Sequence, residues 1–161
     1  MKKLILVRHG KSSWDYQVDD KDRPLKERGI TDAHRVANVL REKNYEIDFC
    51  YSSPANRALH TCLIFLRTLR FDFNNFKITD ELYDFSGEAA FKFLKSLSDD
   101  LSTVMIFGHN YAFTTLVNML GDDYLDNLPT SGMAILEFNI NNWTDLKKGN
   151  TKAIVLPKEL R

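Results

Sequence analysis

The sequence predicts an α/β layer fold built on a mostly parallel sheet. Two observations carry that expectation. Short strand-like runs recur at residues 3–7, 47–51 and 103–107, the first and last nearly all apolar, as strands buried on both faces are. Between them lie segments with apolar residues at helical spacing, and strands alternating with helices imply a parallel sheet.

Lys3-Leu4-Ile5-Leu6-Val7 reads as the first strand, broken by Arg8-His9-Gly10, and residues 11–24 as a polar loop. Residues 26–43 carry a helical stripe through Ile30, Ala33, Val36, Ala37 and Leu40. After the strand at 47–51, Ser53-Pro54 reads as a helix start, because serine suits the N-cap and proline the first helical position. That helix runs to about residue 69, with Ala58, Cys62, Phe65 and Leu69 on one stripe. Residues 76–79 read as a strand, and 88–97 as a helix with Phe91, Phe93 and Leu94 inward. The strand at 103–107 ends at Gly108-His109-Asn110, and the helix at 112–120 stops at Gly121, a natural C-terminal cap. Residues 133–140 and 152–156 alternate as late strands do.

A chain of 161 residues is expected to form one domain over 1–161. Lys plus Arg and Asp plus Glu each total 22, and this neutrality argues against a partner such as duplex nucleic acid or an anionic membrane. The apolar run after Met1-Lys2-Lys3 ends within four residues, where a signal peptide needs about 7–15. No stretch approaches the roughly 18 apolar residues of a membrane span. A cytoplasmic, reduced protein is expected. Cys50 and Cys62 form neither a CxxC pair nor a metal-spaced set and read as core filler. The four histidines show no metal-site spacing, and His34 and His60 read as ordinary helix residues.

Chemistry concentrates where strands end. Arg8-His9-Gly10 follows the first strand, Ser52-Ser53-Pro54 leads from the second into a helix bearing Arg57, and Gly108-His109 follows the strand at 103–107. Ligands of open α/β sheets bind beyond the carboxyl ends of strands, so two arginines and two histidines are expected to meet in one crevice. Arginine matches phosphate oxygens with planar, permanently charged donors. A neutral imidazole nitrogen can attack phosphorus and form a covalent intermediate. His9 is the candidate nucleophile, with its second ring nitrogen expected to donate to a backbone carbonyl. His109 is the candidate donor to the phosphoryl oxygens, cationic when close to that dianion.

Arg8-His9-Gly10, the Ser52-Ser53-Pro54-x-x-Arg57-Ala58-x-x-Thr61 stretch and Gly108-His109 together resemble the histidine phosphatase superfamily, with its phosphoglycerate mutase-like fold. The closer resemblance is to its small SixA-type phosphohistidine phosphatases. Lys11-Ser12-Ser13-Trp14-Asp15, Asp22-Arg23-Pro24-Leu25 with Gly29, and Asp126-Asn127-Leu128-Pro129-Thr130 are similar to segments of that subgroup. The resemblance implies a three-layer α/β/α sandwich, no metal cofactor, His9 as phosphoryl acceptor, and Arg8, Arg57 and His109 around it. Thr61 falls where the family keeps a threonine, with packing as its expected role. Glu81, in Thr79-Asp80-Glu81-Leu82-Tyr83, matches the position of the general acid in larger relatives. A glutamate in that role needs a raised pKa, from burial or from like charges.

Three activities fit these residues. The leading expectation is hydrolysis of protein phosphohistidine, because a P–N bond needs less acid assistance than an ester and the chain leaves little length for a lid over the pocket. A phosphatase for small phosphoesters and a phospho-ligand binder without turnover are the alternatives. Lys11 and Ser12 follow His9 closely enough to touch substrate.

Overall fold

Successive strand residues face opposite sides of a sheet, and here both sides are apolar. In the computed structural model, which describes residues 1–161, β1 (Lys2–Arg8) sends Leu4 and Leu6 into one core and Ile5 and Val7 into another. The remaining strands are β2 (Phe49–Ser52), β3 (Phe76–Ile78), β4 (Thr103–Gly108), β5 (Met133–Phe138) and β6 (Asn150–Val155). All six form one sheet in the order β3-β2-β4-β1-β5-β6. The pairings β3–β2, β2–β4 and β4–β1 are parallel, while β5 and β6 are added antiparallel at the other side.

Helices α1 (Glu27–Lys43) and α2 (Asn56–Leu69) cover one face, meeting Ile5, Val7, Met105 and Phe107. Helices α3 (Glu88–Lys95) and α4 (Ala112–Leu120) cover the other, meeting Leu4, Leu6, Val104 and Ile106. The result is the expected three-layer α/β/α sandwich. Fully burying one such aliphatic or aromatic side chain stabilises the fold by about 1.5–3 kcal/mol. Cys50 and Cys62 lie in the α1–α2 core with their Sγ atoms 3.6 Å apart, both as free thiols. Burial pushes the Cys50 thiol pKa well up, as expected of core filler. No helix is long and apolar enough to cross a membrane.

Two element boundaries differ from the sequence expectation. Helix α2 begins at Asn56 with Ala55 as its N-cap, so Ser53 lies outside the helix. Its hydroxyl accepts the Ala55 N–H at 3.2 Å and pairs with His109 instead. Gly121 does end α4, its N–H donating to the Val117 carbonyl at 2.9 Å, but in an extended rather than a left-handed conformation. Glycine is needed there for space: a Cβ would lie 2.2 Å from Thr151 Oγ1.

The register fixes where the site forms. Arg8 pairs with Gly108 across β1 and β4, and Ser52 with Phe107 across β2 and β4. The carboxyl ends of three adjacent strands are therefore level. Hydrogen bonds from His9 N–H to the Gly108 carbonyl and from Ser53 N–H to the Phe107 carbonyl, both 3.0 Å, carry that alignment past the strand ends.

Candidate active site

The loop after β1 packs backbone to backbone against the start of α1, which glycine allows: a Cβ on Gly10 would sit 2.8 Å from the Gly29 carbonyl oxygen, and one on Gly29 would sit 2.3 Å from that of Lys11. The Gly10 N–H donates to Thr61 Oγ1 on α2 at 2.9 Å, and the Thr61 hydroxyl donates to the Arg57 carbonyl at 2.7 Å. Thr61 thus does more than pack, because it ties the residue after His9 to the helix that carries Arg57.

A pocket of about 310 Å³ opens at this edge. Arg8, His9, Lys11, Ser12 and Arg57 line it, together with Asp20, Arg23, Trp14, Phe85, Asn110 and Thr130. Four cationic side chains, Arg8, Lys11, Arg23 and Arg57, face a single carboxylate, Asp20. His9 is buried and pairs through Nδ1 with its neighbour's carbonyl, Gly10 O, at 2.7 Å. A carbonyl only accepts, so Nδ1 holds the proton and Nε2 keeps its lone pair. Burial first, then Arg57, Arg8 and Arg23, lower the His9 pKa to about 3 against the raising effect of Gly10, which keeps the ring neutral at pH 7.

His109 stands behind the pocket wall, fully buried, with its ring centroid 5.2 Å from that of His9. Its Nδ1 faces an Arg57 NH2 at 3.5 Å, and since arginine only donates, Nδ1 is the acceptor. Nε2–H then donates to Ser53 Oγ at 2.8 Å. Burial, followed by the proximity of His9 and Arg57, lowers its pKa to about 3. His109 is therefore neutral in this state, not cationic. Phe85 and Tyr83 close over it with ring centroids 4.9 and 5.4 Å away. Arg8 donates to the Leu128 carbonyl at 2.9 Å, while its buried Nε–H has no protein partner.

Glu81 is not brought to this cluster, and the expectation for it is corrected. The single 3₁₀ turn Asp80–Leu82 points Leu82 into the core and leaves Glu81 exposed, facing a separate depression beside Ala89, Lys92 and Phe93. Its carboxylate accepts the Thr79 hydroxyl, which lowers its pKa, the reverse of what a general acid requires.

The carboxylate that does enter the pocket is Asp20, which the sequence did not single out. Asp20 Oδ2 accepts from Arg57 at 2.9 Å and from the Tyr83 hydroxyl at 2.5 Å, and its main-chain carbonyl accepts a second Arg57 N–H at 2.6 Å. Burial raises its pKa, but the Tyr83 and Arg57 hydrogen bonds outweigh that and hold it at about 2. Arg23 was also missed as a site residue. It is buried, donates to Ser12 Oγ and to the Ser13 carbonyl, and lies 3.3 Å from the ring centre of Trp14. Its only sequence signal was membership of the Asp22-Arg23-Pro24-Leu25 segment. No cluster of three or more His, Cys, Asp or Glu side chains is placed to hold a metal ion.

An imidazole lone pair among guanidinium groups at the carboxyl edge of an α/β sheet is an arrangement suited to phosphoryl transfer. The chain belongs to the histidine phosphatase superfamily (branch 1), whose family model matches residues 4–91. Its structure is similar to that of a chain assigned as the phosphohistidine phosphatase SixA from Agrobacterium tumefaciens, with 27% identity, 97% of this chain and 98% of that one covered, and a TM-score of 0.81. The protein histidine phosphatase SixA complexed with tungstate shares the fold, with a TM-score of 0.83 at 22% identity over 99% of both chains. An uncharacterized chloroplastic protein of Arabidopsis thaliana is 29% identical over 157 residues, 89% of this chain and 70% of that one.

Proposed function

We propose that this phosphatase removes the phosphoryl group from phosphohistidine on a protein, through a covalent phosphohistidine at His9. The observation that carries the proposal is the Nδ1–H bond to Gly10, which leaves Nε2 of a neutral His9 as the nucleophile inside a cationic pocket. Nε2 attacks phosphorus, the bond to the leaving nitrogen breaks, and water then hydrolyses phospho-His9 to inorganic phosphate and free His9. Arg8 and Arg57 hold the phosphoryl oxygens, and His109 joins them as a donor once the dianion raises its pKa. Three guanidinium groups supply the positive charge that phosphoryl transfer needs, so the scheme calls for no metal. The similarity to the Agrobacterium chain over nearly the full length supports phosphohistidine as the substrate class.

The test is rapid-quench labelling with a ³²P-phosphohistidine protein. Acid-labile label on wild type that disappears in His9→Asn, with turnover unaffected by a chelator, is the expected result. Phosphate release that survives His9→Asn would overturn the mechanism.

A further inference from the structure

Asp20 is the one carboxylate lining the pocket, and the scheme above gives it no task. Its two oxygens differ. Oδ2 is engaged by Arg57 and Tyr83, whereas Oδ1 has only Arg23, at 3.3 Å, beyond the usual N–H···O range of about 2.7–3.2 Å. A carboxylate offers roughly four acceptor sites, so Oδ1 retains capacity toward a ligand. Depth also separates the residues: the Asp20 side chain is 42% exposed, while His9 is 8% and Arg57 3% exposed. In-line displacement places nucleophile and leaving group on opposite sides of phosphorus. With His9 at the floor, the leaving group faces the mouth, where Asp20 stands.

We infer that Asp20 selects the leaving group: its carboxylate accepts the N–H of the distal ring nitrogen of a phosphorylated imidazole, which favours N-phosphoryl over O-phosphoryl substrates. The inference rests on the proposed phosphohistidine activity and names what makes the pocket specific for it. When the distal nitrogen carries a proton, the electron pair of the broken P–N bond returns to the ring and neutral imidazole leaves with no proton moving. Without that proton the ring would leave as imidazolate, a much poorer leaving group. An opposite charge within about 4–6 Å favours the protonated cation, which is what a carboxylate at the mouth provides. An alkyl phosphate has the contrary need, a proton delivered to its bridging oxygen. Asp20 is held ionised by Tyr83 and Arg57 and has none to give, and Glu81 lies outside the pocket.

The experiment compares kcat/KM of wild type and Asp20→Asn on free phosphohistidine and on p-nitrophenyl phosphate, an ester whose phenolate leaves without a proton. The amide keeps the size of the side chain and removes the charge. The expected result is a loss on phosphohistidine at least about tenfold larger than on the aryl ester, as befits a hydrogen bond to a charged group. Release of Arg57 from its counter-ion acts on both substrates alike, so the ratio of the two losses is the readout. An equal fall on both substrates would show that Asp20 merely positions Arg57 and would overturn the inference. A measurement that needs no variant uses wild type with N-phosphoimidazole and its distal N-methyl derivative, each rate divided by its spontaneous hydrolysis. Tenfold or greater loss of acceleration on methylation supports the role, and equal acceleration overturns it. Failure of the underlying activity looks different: wild type would then neither turn over phosphohistidine nor form phospho-His9.

Discussion

His109 is the residue whose charge depends most on what the pocket holds. Burial, His9 and Arg57 keep it neutral, and its Nδ1 lone pair points at Arg57. It can donate toward a phosphoryl oxygen only after Nδ1 takes a proton, and an arriving dianion supplies the field that raises its pKa. Sulfate binding at pH 6, followed by calorimetry in buffers of different ionisation enthalpy, should therefore show uptake of a substantial fraction of one proton. His109→Asn should abolish that uptake, and proton-neutral binding by wild type would refute the account. Arg57 acts differently, as a permanent charge. Arg57→Ala should lower kcat/KM by about 10²–10³ on every phosphorylated substrate, as loss of a preorganised oxyanion donor does. A near-normal rate on any of them would remove Arg57 from the pocket's shared machinery. The residues legible in the sequence were those tied to strand ends or to the first turn of α2: Arg8, His9, Arg57 and His109. Glu81 was misplaced because a motif match does not say which side of a one-turn 3₁₀ helix faces the crevice. Asp20 was invisible because only the folded path of residues 11–26 brings it over Arg57.

At the scale of elements, the site depends on a strut between the loop after β1 and helix α2. Thr61 forms it by accepting from Gly10 and donating to the Arg57 carbonyl, so one hydroxyl links the residue beside His9 to the helix that carries Arg57. Thr61→Val keeps the shape but leaves the buried Gly10 N–H unpaired, which costs about 1–3 kcal/mol. Urea denaturation should report that loss, with kcat falling as well, and Thr61→Ser should restore both. Equal stability of the valine variant would show that the strut carries no energy. The sequence predicted the succession along the chain of the four α-helices and six strands, because alternating strands and helical stripes record burial directly. It did not reveal that Ser53 abandons the cap of α2. That hydroxyl is taken by His109, a partner 56 residues away, and local propensity is blind to such a pairing.

The whole molecule is neutral by composition, yet its pocket sets four cations against one carboxylate. Overall balance therefore hides a local field suited to a single small anion, and the same field has a thermodynamic consequence. His9 and His109 each have a folded pKa of about 3, below the value of 6.5 they take when exposed. Between pH 3 and 6.5 the unfolded chain binds protons that the native protein excludes, so stability rises with pH across that window. The contribution is complete above pH 6.5 and is lost as pH falls toward 3. Asp20, held at about 2 from 3.8, adds a loss of the same sign at lower pH. At about 1.4 kcal/mol per unit of pKa, the two histidines account for a loss on the order of several kcal/mol. Urea melts at constant ionic strength from pH 7.5 to 4 should show a steep decline below 6.5. The double variant His9→Asn with His109→Asn should flatten most of it, and saturating sulfate should flatten part of it in wild type by raising the folded pKa of His109. A slope unchanged in the double variant would place the acid sensitivity elsewhere, and with it the claim that both imidazoles rest neutral in the native pocket.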